Sequence, residues 1–153
     1  MNNKQININE LSLNQLLNLG IETPDIRPFF FERLLDSEVF ILINLMNLKN
    51  LKNGDKIEPN TNVDIVTFSK DDLAFIPFFT TEDSLNIAYE TQFKDTSNPP
   101  AFTKLPFHML LNSVKDVSMV MDLFYPVNKM FSIEELDFLR ENSTPENLQI
   151  YPY

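Results

Sequence analysis

The sequence predicts an α/β (α+β) single domain, with a mixed β-sheet of about four to six strands flanked by about four to five helices. Three observations lead there. Apolar runs of strand length recur at Val39–Ile43, Leu73–Phe79 and Val117–Phe124. Between them lie segments with helical spacing and recognisable caps, such as Ser132-Ile133-Glu134-Glu135. Adjacent strands alternate with strand–helix–strand crossovers, which favours a mixed sheet with helices over at least one face.

The elements follow in order. Residues 1–10 are polar, with an edge strand at Ile6–Ile8 the one element they offer. Ser12-Leu13-Asn14-Gln15 reads as a capping box. Leu13, Leu16 and Leu17 then share a helical face, and Gly20 fits the stop. A second helix opens near Thr23-Pro24-Asp25, with Pro28 required to fall in its first turn or the helix to begin later. Phe30, Phe31, Leu34 and Leu35 give it a wide apolar stripe. Asp36-Ser37 breaks it, and Glu38–Ile43 reads as a strand. Residues 44–62 are rich in asparagine and contain Asn53-Gly54, a strong turn signal for a hairpin or exposed loop.

Val63–Phe68 alternates as a strand and is close enough to Leu73–Phe79 to pair with it across Lys70-Asp71-Asp72. Pro77 lacks an N–H, which suggests an edge, a bulge or a strand's end. Thr80 is the expected N-cap of the next helix, with Asp83 in the capping-box position and Glu82 and Asp83 facing the helix dipole. Leu85, Ala88, Tyr89 and Phe93 form that helix's core face. A short strand is expected at Ala101–Thr103. A helix from Pro106 carries Phe107, Leu110, Leu111 and Val114, and Lys115-Asp116 ends it. Val117–Phe124 follows as a buried strand, residues 125–129 as a loop, and the last helix turns Ile133, Leu136 and Leu139 inward. The divisions are an N-terminal segment with a short helix (1–22), the main domain (23–142) and a tail (143–153).

The 153 residues carry 12 Lys+Arg against 22 Asp+Glu, a net charge of −10. That balance speaks against nucleic acid and anionic membranes, since both need a basic surface. It suits a basic protein partner, whose approach the field would speed, and it also serves plain solubility. The absence of cysteine excludes disulfides, zinc–thiolate sites and thiol catalysis. The start lacks a signal peptide's apolar segment, and no apolar run approaches the ~18 residues of a membrane span. A cytoplasmic protein is expected. With only Gly20 and Gly54, no glycine-rich phosphate loop can be written, and no cofactor or metal is expected.

Residues that could carry chemistry are few. His108, the single histidine, lies off the apolar stripe, so no catalytic set is assigned. Asp71, Asp72, Glu82 and Asp83 bracket the central strand at its two ends, and Glu134, Glu135 and Asp137 stand on the last helix. With Tyr125 they are the candidate contacts for a partner, against the alternative of dipole compensation and solvation. Phe78, Phe79 and Phe124 are candidates to line a small apolar pocket, against the alternative of core packing.

Three stretches resemble the SseB N-terminal domain family, named for enhanced serine sensitivity. They are Phe31–Phe40 (Phe-Glu-Arg-Leu-Leu-Asp-Ser-Glu-Val-Phe), Phe75–Leu85 with its Pro-x-Phe-Thr-type turn, and Met119–Leu136. Two positions depart from the pattern. Asp72-Leu73 stands where the family often has Asp-Gly, and Asp122-Leu123 where it often has Asn-Pro. The resemblance implies a mixed α/β domain and brings no catalytic mechanism. A non-catalytic interaction module is therefore expected: an adaptor or regulator, or an immunity-type inhibitor of a basic toxin. The alternative is a small-molecule sensor for an amino acid or metabolite.

Overall fold

The computed structural model describes residues 10–44 and 64–141. The expected strand at Ile6–Ile8, the asparagine-rich hairpin or loop with Asn53-Gly54, and the tail lie outside the described residues, as does Val63. Among the described residues, five α-helices and a seven-stranded sheet make one α+β domain. In chain order these are α1 (Leu13–Glu22), a 3-10 turn (Pro24–Ile26), α2 (Arg27–Leu35), β1 (Glu38–Asn44), β2 (Asp64–Ile65), β3 (Phe68–Lys70) and β4 (Leu73–Phe79). There follow α3 (Glu82–Gln92), β5 (Ala101–Pro106), α4 (Phe107–Ser113), β6 (Ser118–Met121), β7 (Lys129–Phe131) and α5 (Ile133–Glu141).

Among the described residues the strands pair antiparallel, except β4 with β6, which are parallel. After β4 the chain runs through α3 and adds β5 along β1. It then passes α4 and returns as β6 beside β4. β1 takes β5 on one edge. On its other edge it meets β4 at Phe40 and Ile41, and β2 at Ile43 and Asn44. Residues 64–70 thus lie in the fork between β1 and β4, pairing first with one and then with the other.

Strand alternation sends side chains to two cores. Val39, Ile41, Ile43, Ile76 and Phe78 face the larger one, with Leu16 and Leu17 of α1, Phe30, Phe31 and Leu34 of α2, Leu110 of α4 and Leu136 of α5. The Phe78 and Phe107 rings meet there at a tilt of 40°, with centroids 5.1 Å apart. Phe40, Leu42 and Phe79 face the smaller core, closed by Leu85 and Ala88 of α3. The sheet is therefore the middle of three layers, which explains why β1 and β4 read as continuous apolar runs.

Several local expectations are corrected. The strand count exceeds four to six because the expected strand Val63–Phe68 is two short strands broken at Val66-Thr67, and because β7 occupies part of the expected loop. α1 runs past Gly20 to Glu22. The Arg27 guanidinium replaces a glycine stop by donating to the Gly20 carbonyl (2.7 Å) and the Ile21 carbonyl. The N-cap of α3 is Thr81, with Ser84 completing the box, in place of Thr80 and Asp83. Pro106 is the last residue of β5, and α4 starts after it. β6 stops at Met121, three residues short of Phe124, because Asp122 turns out of the strand with φ 54°.

Pro77 lies in the interior of the sheet. The Phe78 carbonyl accepts from the Asp122 amide at 2.9 Å, so Phe78 faces β6 and Pro77 faces the opposite edge. There β3 pairing ends at Phe75 and β1 pairing starts at Phe78. The missing N–H falls where one neighbour gives way to the next.

Candidate functional site

In open α/β sheets the carboxyl ends of parallel strands are the usual place for a ligand. Here those ends are Thr80, after β4, and Asp122, after β6. The Asp122 side chain is fully buried. Its Oδ1 accepts from the Thr80 amide (2.8 Å) and the Ser84 hydroxyl (2.7 Å). Its Oδ2 accepts from the Thr80 hydroxyl (2.6 Å) and the Asn14 side-chain amide (2.8 Å). A carboxylate offers about four lone-pair positions, and each is taken. Asp122 therefore ties α1, the β4–α3 junction and β6 together, with no position left to act as a base on a substrate.

Beside this knot a groove of about 500 Å³ opens between α3 and strands β1 and β5, lined by Glu38, Phe40, Thr80, Thr81, Glu82 and Lys104 among others. Phe40 and Lys104 are register partners. The Lys104 Nζ sits 5.3 Å from the Phe40 ring centroid and 3.8 Å from Glu38 Oε2. Side-chain exposures of 43% and 35% make this a loose, solvated pair. The opposite wall is the first turn of α3, where Glu82 and Asp83 carry negative charge.

A second groove, of about 470 Å³, has Phe68, Phe75 and Phe124 with Lys70 and Gln92 around it. It lies where the small core meets the turn after β6.

The sequence candidates fall in several places. Asp71 and Asp72 form the tip of the β3–β4 hairpin, with φ of 53° and 65°. Glu82 and Asp83 are at the far end of β4, so the four residues do not form one patch. On α5, Glu134 is exposed, whereas Glu135 Oε2 lies 2.9 Å from Lys129 Nζ and Asp137 pairs with Arg140 at 2.6 Å. Glu135 also closes the capping box with Ser132. Tyr125 sits in the turn after β6, donating its amide to the Asp122 carbonyl at 2.8 Å. Phe78 and Phe79 do not line one pocket: both are fully buried, in different cores on opposite faces. Phe124 borders the second groove. His108 is exposed, with Nδ1 3.3 Å from the Leu35 carbonyl. Among the described residues no cluster of three or more His, Asp or Glu could hold a metal, and no helix is long and apolar enough to cross a membrane.

Sequence reasoning missed Asn14, Ser84 and Asp122 as a unit, and Glu38 with Lys104. One signal was present: Asp122 is the lone charge in the apolar run Met119–Phe124. A carboxylate there requires donors from elsewhere.

The family model for the SseB protein N-terminal domain matches residues 13–137, which span every element from α1 into α5. No curated protein and no solved structure matches the chain at a significant level.

Proposed function

The chain belongs to the SseB N-terminal domain family, and from that premise we propose that it is a non-catalytic, acidic protein-interaction module. It serves as an adaptor or regulator, or as an immunity-type inhibitor, and its partner is a basic protein in the cytoplasm. The observation that carries this reading is the open groove with carboxylates on two of its walls, Glu38 on β1 and Glu82 on α3, in a chain of net charge −10. Such a surface steers a basic partner and disfavours nucleic acid. The saturation of Asp122 also supports a binding role over a catalytic one, because the sheet-end carboxylate is spent on structure. The test is affinity capture from the native host on the immobilised chain. A specific protein should be retained at low salt and released as salt rises; failure to retain any would remove the basis for the reading.

A second reading is a binding protein for an amino acid or similar metabolite. It is favoured by one feature, the presence of both charge signs, Lys104 and Glu38, in a groove of small-molecule size. A thermal-shift panel of amino acids and metabolites decides it, a uniform absence of stabilisation counting against it.

A further inference from the structure

We propose that the groove between α3, β1 and β5 receives an arginine or lysine side chain of the partner protein, and that Lys104 holds that position in the free chain. This rests on the interaction-module reading and adds the place and chemistry of the contact. The Lys104 ammonium shows where a cation sits. It lies over the Phe40 ring at 5.3 Å and near the Glu38 carboxylate at 3.8 Å, so the groove offers a ring face and an acceptor to one positive charge. Glu82, on the facing wall, adds a second carboxylate. The N-terminus of α3 contributes partial positive charge there, and Glu82 and Asp83 in its first turn offset it.

The resident cation is held weakly. Its ion pair is long and solvated, which is the kind of contact worth little and easily exchanged. A guanidinium entering from outside can do more than Lys104 does: it stacks flat on a ring and donates in a fork to a carboxylate, whereas an ammonium acts as a point charge. Lys104 reaches in from β5 on a flexible stem, and as it swings out to solvent the incoming group takes its place over the Phe40 ring and beside the Glu38 carboxylate. Lys104 is thus a built-in competitor, and its removal strengthens binding.

The test uses the whole chain and a fluorescein-labelled tetra-arginine peptide, titrated by fluorescence anisotropy at low salt. Variants are compared in pairs of equal charge change: Lys104→Met against Lys115→Met, and Glu38→Gln against Glu22→Gln. Lys115 and Glu22 are exposed, and neither lines the groove. Lys104→Met is expected to tighten binding about threefold more than Lys115→Met, and Glu38→Gln to weaken it about threefold more than Glu22→Gln. Thermal melts of the variants check folding, and if Glu38→Gln is unfolded the lysine pair decides alone. Equal effects within the lysine pair, or no binding of the peptide by the wild-type chain, overturn the proposal. If a salt-sensitive host partner is nonetheless captured, the contact lies elsewhere on the surface and the interaction-module reading stands without the groove.

Discussion

Thr80 and Asp122, 42 residues apart in sequence, are joined twice: the Thr80 amide donates to Asp122 Oδ1 at 2.8 Å and its hydroxyl to Oδ2 at 2.6 Å. The pair locks the ends of the two parallel strands to each other. Because Ser84 and Asn14 donate to the same carboxylate, one side chain fixes helices on both faces of the sheet.

Removing that carboxylate should be among the costliest single changes in the protein. Asp122→Ala leaves the buried Ser84 hydroxyl and the half-buried donors of Asn14 and Thr80 without their acceptor, and a loss of about 3 kcal/mol is expected. Asp122→Asn should cost less, because one oxygen still accepts and asparagine tolerates positive φ. Asp122→Gly should exceed Ala in stability by about 1 kcal/mol, since the residue sits at φ 54°. Urea unfolding of the three variants gives the order directly.

The hairpin tip predicts a stabilising change. Asp71 and Asp72 both have positive φ in a two-residue connection between β3 and β4, the geometry of a type I′ turn. Glycine is the preferred residue at its second position. Asp72→Gly should therefore raise stability by about 0.5–1 kcal/mol, read as a higher midpoint in thermal or chemical unfolding. A lower midpoint would mean that the Asp72 side chain makes a contribution its backbone conformation conceals.

Lys129 and Glu135 form a second test, of coupling. Their side chains are 8% and 20% exposed, and the Lys129 ammonium also lies 4.9 Å from the Phe131 ring centroid. Lys129→Met alone should cost about 2–3 kcal/mol by leaving a carboxylate nearly enclosed. Combining it with Glu135→Gln should cost less than the sum of the two single changes. The Asp137–Arg140 pair is the control. Asp137 is 54% exposed, and Asp137→Asn should change stability by less than about 0.5 kcal/mol.

Tyr89 carries the pH dependence. Burial pushes its phenol from the usual 10.0 up to about 12, while its hydroxyl donates to the Pro100 carbonyl at 2.7 Å. The unfolded chain loses this proton near 10.0 and the folded chain holds it to about 12. Over that window alkali favours the unfolded state, so the stability due to Tyr89 is complete below pH 10 and is lost as pH rises through the folded value. Titration of tyrosinate absorbance should show a component near 12 that Tyr89→Phe lacks. That variant should also lose less stability across the same pH interval.

The layered architecture was legible because its signals are local. Ser12 and Ser132 cap the helices their sequences announced, and β1 and β4 are apolar enough to be recognised without knowing their neighbours. What escaped depends on distant partners. Lys129–Phe131 is a strand only because Met119–Met121 offers it a ladder. The cap of α3 moved by one residue because Thr80, locally an equally good cap, is claimed by Asp122. Asp122 itself reads as an intruder in a strand until Asn14, Thr80 and Ser84 are brought around it. The Lys104–Phe40 contact follows from strand register, which no periodicity reveals.

Asn44 and Asp64 are ladder partners, so the chain passes these two points side by side. The closure term for a flexible insertion changes by only about 0.6 kcal/mol for each doubling of its length. A site beside either residue is accordingly a natural port for engineering: an affinity tag, a fluorophore site or a tethered peptide added there starts and ends next to a register that Ile43 and Ile65 also carry.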